Sequence, residues 1–138
     1  MMSMKESRSQ SADVAGALGA DGGTSVQCFT IYIPDKDQQG NEIGNQRKWV
    51  LDALDLLGGI NGGATAMPPC EGVWLNDDEQ LIREQPVVVY SYIVPDAFLA
   101  DLPRIRQFLH RLGRETNQGE VGFEFDGRFY RIRQFDLE

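Results

Sequence analysis

The chain has 138 residues, 21 of them acidic and 13 basic, for a formal charge of −8 at pH 7. That length holds one domain with a core of its own, without metal or disulfide staples. The acid excess argues against whole-surface binding to nucleic acid or anionic lipid, and no apolar run reaches the roughly 20 residues that cross a bilayer.

Residues 1–25 are rich in Ser, Ala and Gly and hold no aromatic residue. Such a segment buries too little apolar surface to offset its ordering entropy, so a flexible tail is expected there, with one helical turn suggested by Val14 and Leu18. The α+β domain is expected over residues 26–138. The start carries no apolar h-region of about 7–15 residues, and Cys28 and Cys70 make no disulfide framework. A cytoplasmic protein with reduced thiols is the resulting expectation.

The run VQCFTIYIP over residues 26–34 is β-branched and aromatic and reads as the first strand. Alternation puts Phe29, Ile31 and Ile33 on the core face and Cys28, Thr30 and Tyr32 on the other. A polar loop over residues 35–44 leads to Asn45, a candidate N-cap. Trp49, Val50, Ala53, Leu54 and Leu57 then form a helical stripe that Gly58-Gly59 should stop.

Residues 64–75 read as a broken strand, because Pro68-Pro69 cannot sit inside a ladder. After a polar turn over residues 76–80, residues 81–94 read as one long strand. Its apolar run from Val87 to Val94 suggests a central position covered on both sides, with Pro86 at an edge or bulge. Phe98, Leu102, Ile105, Leu109 and Leu112 mark a second amphipathic helix, expected to end near Gly113–Asn117. Pro103 either kinks it or opens a new helix in its first turn. Asp126-Gly127 is a type I′ signal that pairs Phe125 with Arg128, Phe123 with Tyr130 and Val121 with Ile132 as a core-facing set. On the same register Glu120 meets Arg133 as a cross-strand charge pair.

This order is that of a ferredoxin-like βαββαβ sandwich with an additional C-terminal strand: two helices on one face of an antiparallel sheet, the other face open. The open face should combine Tyr32, Thr30, Tyr90, Tyr92, Arg131 and Arg133, with Trp74 from a neighbouring strand. An aromatic surface of that size is expected to be covered by a twin copy in a homodimer. Alternatively it lines a pocket in which the arginines grip a small anionic ligand and the tyrosines form the wall. Base stacking on nucleic acid is a third use, opposed by the acidic charge and by the absence of an RNA-recognition core motif.

Asp35 and Asp37, with Glu71 or Glu84, are candidate metal ligands, against which stands the reading of a solvated turn. The run Gly58–Gly63 follows a helix and lacks the Lys-Ser/Thr of a phosphate loop. His110 is the sole histidine and is expected at the surface or its boundary. Cys70 lies in a loop with no charge beside it in sequence to activate it. Arg104, Arg106, Arg111 and Arg114 read as a solvated helix face. No nucleophile pair stands out, so no cofactor and no catalytic residue is expected.

The segment Gly62–Val89 contains Gly63-Ala64-Thr65, then Gly72-Val73-Trp74, an acidic turn, and Arg83-Glu84 before a β-run. In this it resembles small bacterial proteins of ferredoxin-like type. The resemblance implies the βαββαβ fold and assigns no activity. The sequence thus points to a non-enzymatic binding or interaction module that dimerises through its open sheet face or an edge strand, with a protein partner or a small anionic ligand as further candidates. The alternative is a small-anion-binding protein or enzyme with a Tyr/Arg-lined pocket there.

Overall fold

Two turn-breaking elements, Pro68-Pro69 and Pro86, shape the architecture. The computed structural model describes residues 14–21 and 27–137. Most of the expected tail, residues 1–13 and 22–26, lies outside the described residues, as does Glu138. A helical turn stands over residues 14–17, where the Leu18 N–H donates to the Val14 carbonyl at 3.0 Å.

In chain order the elements are β1 (Cys28–Ile33), α1 (Gln46–Asn61), β2 (Thr65–Ala66), β3 (Gly72–Leu75) and β4 (Leu81–Glu84). There follow β5 (Val87–Tyr92), α2 (Pro95–Ala100), α3 (Leu102–Glu115), β6 (Val121–Phe125) and β7 (Arg128–Ile132). The main sheet runs β2-β5-β1-β6-β7 and its pairs are antiparallel. This is the ferredoxin-like order with β7 added outside β6. The helices cover one face, over a core that includes Ile31, Ile33, Trp49, Leu57, Val89 and Leu112. Among the described residues, no helix is long and apolar enough to cross a membrane.

The prolines correct the expected strands. The break expected within residues 64–75 is present, whereas residues 81–94 do not form the one long strand expected there. Each is divided, into β2 and β3 and into β4 and β5, and β3 pairs with β4 as a separate two-stranded sheet. Met67 N–H still donates to the Val88 carbonyl at 2.8 Å, and Cys70 N–H to the Pro86 carbonyl at 3.0 Å. Between them Pro68 and Pro69 supply no donor, so the ladder fails at this level and the hairpin leaves the sheet. Its inward face carries Gly72, Trp74, Ile82 and Glu84, and its outward face Val73, Leu75, Leu81 and Arg83, as the pleat requires.

Other expectations are met or corrected locally. Asp126 and Gly127 both have positive φ (53° and 79°), as the type I′ turn demands. Pro103 sits in the first turn of α3, and Asp101 separates α2 from α3. Gly58-Gly59 does not end α1, which continues to Asn61 and is capped by Gly62 at φ 89°. The extra turn is held by the buried Asn61 amide, which donates to Ser91 Oγ at 3.1 Å and accepts from Val94 N–H at 3.0 Å. Asn45 occupies the N-cap, but its side chain makes no cap bond. Strand β5 is interior, yet only Val87, Val89 and Ser91 are buried, because among the described residues no helix covers its second face. Val121 is core, but Tyr130 and Arg128 on the edge strand are exposed, with Tyr130 stacked on Phe123.

His110 is buried, not at the surface. Its Nδ1 accepts the Asp136 N–H at 2.7 Å, and Arg106 grips the Asp136 carboxylate at 2.8 and 3.0 Å. The arginines of α3 are therefore partly engaged by the last residues. Phe135 lies so close to Gly113 that a Cβ there would come within 2.2 Å of its ring. Gly113→Ala should therefore displace residues 133–137 and cost about 1–3 kcal/mol. Thermal melting and limited proteolysis of the C-terminal segment will read both effects.

Candidate functional site

The outward hairpin and the open sheet face enclose a cleft of about 320 Å³. Its sheet side is Tyr32 at the end of β1, Gly122 on β6 and Phe129 on β7. Its hairpin side is Gly72, Trp74 and Glu84, and Cys70 and Pro86 close one end. Phe129 reaches the cleft because Gly122 opposes it diagonally: a Cβ on Gly122 would sit 2.7 Å from the ring. The ring therefore lies flat on the strand and meets Tyr32 edge-on, with centroids 6.1 Å apart. Burial, followed by the neighbouring Glu124 carboxylate, pushes the Tyr32 hydroxyl above the usual tyrosine range.

The walls are acidic. Glu71, Glu84 and Glu120 line the cleft, and among the described residues no Lys, Arg or His does. Glu84 is half-buried, and its enclosed Oε2 has no hydrogen-bond partner among the described residues. Burial, reinforced by the charge of Asp35 and only partly offset by Lys36, pushes its carboxyl up to about 7. An enclosed carboxyl oxygen without a partner is costly unless a ligand supplies one. Aromatic faces beside carboxylates favour an organic cation carrying a flat ring system.

The residues expected on the open face are there, but they do not converge. Tyr32 and Trp74 line the acidic cleft. Arg131 and Arg133 line an adjoining cleft of about 370 Å³, of which Trp74 and Glu120 are also part. Tyr90 and Tyr92, in edge-on contact at 6.2 Å, belong to a third depression near β2, where Tyr92 is 59% exposed. The expected Glu120–Arg133 pair is present at 3.4 Å.

Asp35 and Asp37 serve the loop. Asp35 Oδ1 accepts the Gln85 N–H at 2.9 Å, tying β1 to the start of β5. Asp37 Oδ1 accepts N–H bonds from Gln39 and Asn41 at 2.8 and 3.0 Å. Burial would raise the Asp37 carboxyl, but these bonds outweigh it and hold the group below the usual carboxylate range. Among the described residues, no group of three or more His, Cys, Asp or Glu is placed to hold a metal ion.

Glu84 and Phe129 are the site residues that sequence reasoning did not place in a ligand pocket. A signal existed for Glu84. Once Ile82 is taken as inward, the period of two puts Glu84 on the same face. Phe129 carried none, since its reach depends on Gly122 across the strand pair.

Fold and cleft together define an α+β sandwich with an acid- and aromatic-lined cavity on the open sheet face. Solved structures share the architecture. A phage SAM lyase in complex with S-methyl-5′-thioadenosine aligns with a TM-score of 0.61 at 17% identity, covering 81% of this chain and 92% of that one. A phage SAM lyase in the apo state aligns at 0.60 and 17% identity, covering 84% and 95%. At this identity the likeness is one of fold. No protein-family model matches the chain, and no curated protein matches it.

Proposed function

We propose that this protein binds S-adenosylmethionine in the acidic cleft and breaks its sulfonium, releasing S-methyl-5′-thioadenosine. The observation that carries the reading is the enclosed, unpartnered Glu84 oxygen among Tyr32, Trp74 and Phe129. S-Adenosylmethionine combines a sulfonium cation with a flat adenine. The carboxylates attract the cation and the rings accept the base. The phage lyase structures support the choice of ligand, since one of them holds the thioether that such a cleavage would leave.

In the proposed step the bond between sulfur and the aminobutyrate Cγ breaks, and its electron pair stays on sulfur. Cγ recovers an electron pair in one of two ways: from the Cβ–H bond, with the proton passing to a carboxylate of the cleft and a Cβ–Cγ double bond forming, or from its own carboxylate oxygen, which closes a lactone and leaves the α-ammonium charged. The rings of Tyr32, Trp74 and Phe129 shield the reacting bond from water, which favours a step in which the sulfonium charge is lost. The chain's contribution is then to bind, orient and exclude water. A cytoplasmic location suits a ligand of this kind.

Incubation of the purified chain with S-adenosylmethionine, followed by chromatography and mass spectrometry, tests the reading. Formation of S-methyl-5′-thioadenosine well above the spontaneous rate is expected, and the mass of the second product tells elimination from lactone formation. An unchanged spontaneous rate would overturn the proposed activity.

Self-association through the open face is a separate proposal, favoured by the exposed Tyr92 beside the short edge strand β2. Light scattering from low to high micromolar concentration tests it. A dimer lost on Tyr92→Ala supports it, and a monomer throughout overturns it.

A further inference from the structure

We propose that the arginine cleft beside the acidic cleft is the subsite for the amino-acid end of the ligand, with Arg131 and Arg133 holding its α-carboxylate and Glu120 its α-ammonium. This inference rests on the reading of the acidic cleft as an S-adenosylmethionine site and deepens it.

The two clefts are neighbours with a common boundary, since Trp74 and Glu120 line both. Their charges differ. The first has acidic and aromatic walls, while the second adds the two guanidinium groups of β7 and its C-terminal end. The proposed ligand is divided in the same way. Its adenine and sulfonium are aromatic and cationic, and three bonds beyond sulfur it ends in a zwitterion.

A zwitterion needs an anion and a cation on the protein, side by side. Glu120 Oε2 lies 3.4 Å from Arg133 Nε and 4.0 Å from Arg131 Nη1. The second distance is beyond hydrogen bonding, so Arg131 keeps donors free of Glu120. Both arginine side chains are more than half exposed, at 51% and 64%. A guanidinium presents a planar fork that matches a carboxylate, and two forks beside one carboxylate match an α-amino acid. The register explains the arrangement. Arg131 opposes Gly122, over which the Phe129 ring lies, and Arg133 meets Glu120 just beyond the last paired residues of the hairpin.

Binding of two non-cleavable probes tests the proposal by calorimetry. Sinefungin keeps the amino-acid end and a cation in place of the sulfonium; S-methyl-5′-thioadenosine lacks the amino-acid end. In the double variant Arg131→Gln/Arg133→Gln, sinefungin affinity should fall at least about tenfold while thioadenosine affinity stays within about twofold. Arg131→Lys/Arg133→Lys keeps the charges without the forks and should fall between the two. Equal losses for both probes, or no loss for either, would overturn the subsite while leaving the acidic cleft as the nucleoside site. Failure of the unaltered protein to bind either probe would overturn the underlying reading and the subsite with it.

Discussion

Glu84→Gln is expected to raise the stability of the protein and to weaken its hold on a cationic ligand. The Glu84 carboxyl titrates at about 7 in the folded chain against an ordinary value of 4.5. Below about pH 4.5 the group is protonated in both the folded and unfolded states and stability is unaffected. Between there and pH 7 the folded state binds the extra proton, so stability falls as pH rises. Above pH 7 the folded chain carries a poorly solvated charge near Asp35. Removing that charge should stabilise the protein by about 1–2 kcal/mol at pH 8, a figure reduced for the partial exposure of the group. Denaturant melts at pH 5 and pH 8 measure this, and the gain should be small at the lower pH.

Ligand binding runs in the opposite direction. A cation prefers the ionised carboxylate, so its affinity should rise with pH through 7. Sinefungin should bind about tenfold more weakly at pH 6 than at pH 8, the ratio expected when only the ionised form binds. In Glu84→Gln that pH dependence should vanish, and affinity at pH 8 should drop at least about tenfold. A variant both more stable and weaker in binding is the signature of a charge kept for function. Unchanged affinity and pH profile would remove Glu84 from the site.

The second large effect lies in the core. Trp49 is 1% exposed on α1 and meets Phe108 of α3 edge-on at 5.8 Å, so it joins the two main helices. Arg111 and Lys48 lie over its ring. Trp49→Ala should cost about 3–5 kcal/mol, from lost burial and the cavity left behind. Its buried Nε1 has no hydrogen-bond partner among the described residues, so Phe would lose no indole hydrogen bond seen there. Trp49→Phe should therefore cost less than about 1.5 kcal/mol. Chemical denaturation of both variants checks the pair. Similar costs for the two would show that the ring itself does little.

The sequence was legible where periodicity dominates. The alternation in β1 and β5 placed Tyr32, Tyr90 and Tyr92 on the open face, and the Asp126-Gly127 turn set the register that brings Glu120 to Arg133. The α3 stripe located the helix, and Pro103 its start. What periodicity does not carry is where a strand leaves its sheet. Pro68, Pro69 and Pro86 are far apart in sequence, and only their coincidence at one level of the ladder turns β3 and β4 outward. The acidic cleft exists because of that turn, so its residues did not appear as a group. The same limit separated the six expected site residues, since a shared face is not a shared pocket.

Diffraction from crystals soaked with S-methyl-5′-thioadenosine shows whether the acidic cleft is the nucleoside site. The thioadenosine is expected between Tyr32, Trp74 and Phe129, with Glu84 beside its sulfur. Binding instead in the depression at Tyr90 and Tyr92, or no binding at concentrations that saturate a nucleoside site, would contradict that assignment.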